Sequence, residues 1–173
     1  TGNVSAVLGR HRDPLRCVVC DPAGNRAASV SGDGAVCLWD LPRRSLLQTF
    51  QLPTGAVGSL AFSPDGRTLA SAGSDRKIRF WDTQTGRPRD LTVSNTAAIS
   101  ALAFLPDEPF IASGDNDGMV RVWSLLNGEH VFTLGALPDR VMQLTFSPDG
   151  QWFAAASGLT EGKRPIRLWH APK

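Results

Sequence analysis

Four tryptophans, Trp39, Trp81, Trp123 and Trp169, stand 42, 42 and 46 residues apart, and each closes a short apolar segment: VCLW, IRFW, VRVW and IRLW. Self-similarity at this period means that the chain is built from units, each too small to bury its own apolar face and therefore obliged to stack on its neighbours. The repeat constrains the fold before any single side chain is interpreted.

The clearest unit is residues 59–82, SLAFSPDGRTLASAGSDRKIRFWD. Apolar residues alternate with small or polar ones over 57–62 and 68–72, the pattern of half-buried strands. Between them lies Ser63-Pro64-Asp65-Gly66. Proline suits the first corner of a turn and glycine tolerates positive φ, so the two strands form a hairpin. A second corner follows at Gly73-Ser74-Asp75, and 77–81 supplies a third strand. Fourth, outer strands are expected over 46–50, 89–93 and 130–134. The sequence thus predicts an all-β chain folded hairpin after hairpin.

FSPDG, LASAGSD and IRFWD resemble the WD-repeat family, in which each repeat supplies a four-stranded blade of a circular β-propeller. The other copies read CDPAGNRAASVSGDGAVCLWD, AFLPDEPFIASGDNDGMVRVWS, and TFSPDGQWFAAASG followed by an insertion and IRLWH. The resemblance implies a single propeller unit over 1–173: an outer closing strand over 1–8, blade 1 over 9–50, blade 2 over 51–93, blade 3 over 94–134, and blade 4 over 135–173 without an outer strand of its own. It also implies a buried hydrogen-bond network of His11, Ser29, Asp33 and Trp39 in copy one. Ser71, Asp75 and Trp81 stand in the same register in copy two, and Ser113, Asp117 and Trp123 in copy three. Copy four keeps Trp169 but has Ala155 for the serine. Pro53 and Asn95 stand where the histidine would be.

The two ends are complementary in phase. Residues 4–8 match the outer strands of the other copies, and copy four stops after its third strand. This resembles the closure of WD-repeat propellers, where a terminal strand completes the blade made by the opposite end, and unpaired edges make closure the physical expectation. Four blades are fewer than the seven or eight usual in the family. Three arrangements remain: two chains joined head to tail as an eight-bladed ring, a segment of a longer propeller, or a four-bladed monomer. The homodimeric ring is the leading expectation.

A net charge of +2 favours no polyanionic partner. No run approaches a membrane span and no signal peptide is evident, so a cytoplasmic protein that does not engage membranes is expected. The three cysteines, Cys17, Cys20 and Cys37, all fall in copy one, which argues against a disulfide framework. Cys17-x-x-Cys20 lacks the second pair that a zinc site needs. Cys20 occupies the register of Phe62, Phe104 and Phe146 and is read as a small core residue. Neither metal nor cofactor is expected.

A Ser, a His and an Asp in one repeat also invite a hydrolase reading. A part that recurs around a ring is structural, however, whereas a nucleophile is needed once. There is no phosphate loop, no Gly-x-Ser-x-Gly and no His-Glu-x-x-His. The expected function is a non-catalytic scaffold for a protein or peptide partner; the alternative is a sensor or regulatory propeller segment of a larger signalling protein such as an ATPase or kinase. By resemblance the partner face carries Arg12, Asp13, Thr54, Thr96, Ser74, Asn116, Asp139 and Arg140. It also carries the lengthened loop of copy four, with Lys163 and Arg164. Its charges are mixed, unlike the basic stripe of a nucleic-acid surface.

Overall fold

The computed structural model describes residues 7–52, 57–158 and 166–170, and within them it contains strands and turns. Blade 1 is the meander β1 (Leu15–Cys20), β2 (Arg26–Ser31), β3 (Ala35–Asp40) and β4 (Ser45–Gln51). Blade 2 repeats it as β5 (Ser59–Phe62), β6 (Thr68–Ala72), β7 (Lys77–Asp82) and β8 (Pro88–Ser94). Blade 3 comprises β9 (Ile99–Phe104), β10 (Phe110–Asp115), β11 (Met119–Ser124) and β12 (His130–Ala136). Blade 4 has three described strands: β13 (Val141–Phe146), β14 (Trp152–Ser157) and β15 (Ile166–His170). All pairings are antiparallel between consecutive strands.

Turn chemistry sets the register. Ser63 accepts the amide of Gly66, whose φ of 67° is the left-handed conformation that glycine tolerates best. Ser63 Oγ then donates to Asp65 at 2.6 Å, which ties the corner to itself.

Alternation along the strands gives every blade two apolar faces, one toward the following blade and one toward the preceding blade. Val36 and Leu38 of blade 1 meet Leu60, Leu69 and Trp81 of blade 2. Ile78 and Phe80 meet Leu102, Ile111 and Trp123 in the next seam, and Val120 and Val122 meet Leu144 and Phe153 in the third. Each repeat tryptophan therefore packs backward: Trp81 stacks on Phe50 with ring centroids 5.2 Å apart. Burying side chains of this size stabilises by about 1.5–3 kcal/mol each.

No core cluster among the described residues joins blade 4 to blade 1. Behind blade 1, Ala27, Cys37 and Trp39 are covered by Leu8 and Leu41 instead. Val18 is 66% exposed where its register mates Leu60, Leu102 and Leu144 are 3%, 6% and 6% exposed. In front of blade 4, Leu168 is 60% exposed, against 0–1% for Leu38, Phe80 and Val122.

The expectation that Cys20 is a core residue fails for the same reason. Cys20 is exposed because its face points backward, where blade 1 has no preceding blade, whereas Phe62, Phe104 and Phe146 each have one. Of the proposed closing strand over 4–8, residues 4–6 lie outside the described residues. Val7 and Leu8 are not in a strand, Leu8 serving as a cover for Trp39.

Candidate functional site

In blade 1 the polar side chains form one chain of hydrogen bonds. Trp39 Nε1 donates to Ser29 Oγ at 2.8 Å, and Ser29 Oγ lies 2.7 Å from His11 Nε2. His11 Nδ1 lies 2.8 Å from Ser31 Oγ, which donates to Asp33 at 2.5 Å. Each donor is used once if the imidazole proton sits on Nδ1: indole to Ser29, Ser29 to Nε2, Nδ1 to Ser31, Ser31 to carboxylate. The Ser31 bond and the Ala35 amide hold the Asp33 carboxyl below the usual carboxylate range. Asp33 reaches the imidazole only through Ser31, and Ser29 is buried with both its hydrogen-bonding roles occupied. The arrangement anchors the strand-entry loop and the turn of 31–35 to the blade.

The other blades solve the same problem with different residues. Ser71 and Ser113 accept the indole N–H of Trp81 and Trp123 at 3.0 and 2.8 Å. In blade 2, Arg79, in the register of Cys37, pairs with Asp75 at 2.5 Å. In blade 3 the expected Asp117 is exposed, and its role falls to the fully buried Asp115. Asp115 accepts from Asn95 Nδ2 at 3.0 Å, from the amides of Asp117 and Met119, and from Arg121. The reason is register: Asp115 stands where blade 1 has Ser31, so its carboxylate reaches the Asn95 amide without a relay. The sequence signal was the pair of acids in GDNDG.

On the edge of the disc formed by the turns between second and third strands, all four blades contribute to one polar cleft of about 400 Å³. Ser74, Asn116 and Arg140, which the sequence placed on the partner face, come together there, joined by Gly32 and by Arg16, which it did not. Arg16 sits at a bulge between Leu15 and Cys17 and is the one charged residue of the four innermost strands. That isolation was the available signal. Asp13 adjoins the cleft, since a Cβ on Gly32 would lie 3.6 Å from its Oδ2 and 3.8 Å from Arg16 Nε. Arg12 is exposed but does not line the cleft, and Lys163 and Arg164 lie outside the described residues. Below the mouth, a channel of about 330 Å³ runs between β1, β5, β9 and β13.

Of the thiols, Cys17 and Cys37 are pushed up by burial, which favours their neutral form. Cys17 packs into the forward seam while Cys20 is exposed, and no three metal-ligating side chains gather among the described residues.

Comparison with known proteins matches this architecture. The chain is similar to the structure of U3-55K, with 25% identity over 96% of this chain and 52% of that one and a TM-score of 0.82. It is also similar to the RRP9 WD40 repeats, at 23% identity over 93% of this chain and 53% of that one, with a TM-score of 0.78. The computationally designed Ika4 protein is 21% identical and covered over its whole length, against 99% of this chain, with a TM-score of 0.78. The chain thus spans about half the length of the first two structures. No curated protein matches. The family model described as the WD domain, G-beta repeat matches residues 2–40, 44–82, 89–124 and 128–160, the first three matches each ending one residue after a repeat tryptophan. The chain belongs to the WD40 family of β-propeller repeats, whose members generally serve as protein-interaction scaffolds.

Proposed function

We propose that this chain is a non-catalytic scaffold that holds an acidic segment of a protein partner at the mouth of its channel, between Arg16 and Arg140. The observation that carries the reading is the convergence of four blades on one cleft that has two exposed arginines, with Ser74 and Asn116 as polar contacts. Arginine forks bind carboxylates in a bidentate manner, which favours a Glu- or Asp-bearing peptide. Asp13 beside Arg16 interrupts the positive potential, so a protein segment fits better than a nucleic-acid backbone. Unpaired cysteines agree with a reducing, cytoplasmic setting. The test is fluorescence polarisation with a labelled hexaglutamate peptide. Reversing both arginines, Arg16→Glu with Arg140→Glu, should weaken binding by tenfold or more, and unchanged affinity contradicts the reading.

The scaffold completes its ring with a second copy of itself. Support comes from the two open faces: Ile166 and Leu168 of one copy stand in the registers that Val36 and Leu38 use against blade 2, and Leu15 and Val18 of the other copy in those of Val57 and Leu60. Two copies closed in this way form eight blades with no open face, an assembly that stops at two. Light scattering of the chain at micromolar concentration should give twice the mass of one chain. A folded monomer would rule the pairing out.

A further inference from the structure

We propose that the cleft between blades 2 and 3, on the edge opposite the channel mouth, is a second docking site: it takes a large apolar side chain of a partner peptide together with a neighbouring lysine or arginine. The cleft has a volume of about 520 Å³. Phe80 and Phe104 line its base, in edge-to-face contact with centroids 6.4 Å apart, and Leu91 and Leu125 form its walls. Asp107 and Glu108 stand at the mouth, both exposed.

One substitution in the repeat opens the cleft. At the first seam Arg26 spans the gap and donates to Thr83 of blade 2 at 2.9 Å. The same register in blade 2 holds Thr68, which is too short to cross, and in blade 3 it holds Phe110, which packs into the apolar seam that follows. The counterpart cleft between blades 3 and 4 is about 210 Å³, and among the described residues it is lined by Phe132, Leu134 and Phe146 without any carboxylate.

Two further substitutions charge it. In blades 2 and 4 the turn aspartate accepts a hydrogen bond from a serine two residues earlier, Ser63 to Asp65 at 2.6 Å and Ser147 to Asp149 at 2.5 Å. Blade 3 has Leu105 in place of that serine and Glu108 in place of the turn glycine. Asp107 adopts a φ of 59°, and among the described residues neither its carboxylate nor that of Glu108 has a hydrogen bond or ion pair. The cation at the rim, Arg89, pairs with Asp82 at 3.6 Å. An apolar floor beside two unpaired acids is complementary to an apolar residue followed by basic ones, with the aromatic pair as the anchor pocket.

The experiment is an amide chemical-shift titration of the 173-residue chain with three capped peptides: Ala-Leu-Lys-Arg-Ala, Ala-Leu-Glu-Glu-Ala and Ala-Ala-Lys-Arg-Ala. The first should move resonances of residues 63–68, 89–91 and 104–108 and bind more tightly than the other two. Replacing both exposed acids, Asp107→Asn with Glu108→Gln, should raise its Kd about three- to tenfold. Thr68→Arg, which reinstates the spanning side chain of the first seam, should abolish the shifts. The acid variant alters exposed groups alone, so it decides the matter even if Thr68→Arg fails to fold. Shifts at the channel mouth instead, no shifts at all, or equal binding by the acid variant would each overturn the proposal. The cleft and the mouth lie on opposite edges of the blades, so failure of one leaves the other standing.

Discussion

The three inner seams and the two open end faces carry side chains in equivalent registers, yet one set is buried and the other exposed. Leu60 and Val18 occupy equivalent positions of β5 and β1, as do Leu38 and Leu168 of β3 and β15. The inner members are buried and the end members are more than half exposed. Burial here is a property of the neighbour and not of the residue. Local sequence sets which face is apolar; the stack decides whether that face is covered.

Charge insertion tests this contrast most severely. Leu60→Asp places an unpaired carboxylate in a dry seam and should cost about 4 kcal/mol or more, enough to unfold the chain. Val18→Asp, in the equivalent position on the open face, should leave the melting curve nearly unchanged at concentrations too low for the proposed dimer, and at micromolar concentration should convert that dimer to monomer by light scattering. Equal destabilisation by the two would show that the end face is already covered within one chain.

Truncating the repeat tryptophans gives the next largest effect. Trp81→Ala and Trp123→Ala remove side chains that fill whole seams and should destabilise by about 3–5 kcal/mol in chemical denaturation. Trp39→Ala should cost less, because Leu8 and the His11 edge are its backing. A Trp39 effect as large as that of Trp81 would mean that the N-terminal segment covers blade 1 as well as a blade would.

The polar anchors sharpen the comparison further. His11→Ala strands Ser29 and Ser31 in a partly buried site and should cost about 1–3 kcal/mol. An unaltered denaturation midpoint would show that water replaces the imidazole at no cost.

The smallest effect expected is on acid stability. Asp33 and Asp65 are held below the usual carboxylate range, each first by a serine hydroxyl and then by a backbone amide. A depressed folded pKa means that the stabilisation is present above the unfolded value and is lost as pH falls through the folded one. Thermal stability should therefore decline below the ordinary carboxylate range, and less steeply in Asp33→Asn with Asp65→Asn. A parallel decline in that variant would assign acid sensitivity to other groups.

The fourfold repeat and the hairpin turns were legible in the sequence, because each depends on contacts within one unit or on a pattern that recurs in phase, whereas the backward packing of the tryptophans came from the stack. Ser29, Ser71 and Ser113 were placed by the resemblance of each copy to the WD repeat, and each accepts the indole N–H of the tryptophan ten residues later because cross-strand register is local. Other assignments needed the third dimension. Asp115 displaced Asp117 because a buried carboxylate goes where Asn95 and Arg121 converge, and those donors come from the loop before β9 and from β11. Arg16 joined Arg140 at the channel mouth although the two are far apart in sequence, and a bulge in β1 helped to bring it there. Cys20 left the core because no blade stands behind it. Periodicity and turn chemistry by themselves determined an all-β chain of four repeated units, each folded hairpin after hairpin. Only the tertiary structure decided which apolar faces are buried, which charges meet and where a seam stays open, because those outcomes depend on the distance to a neighbouring blade, which no single repeat encodes.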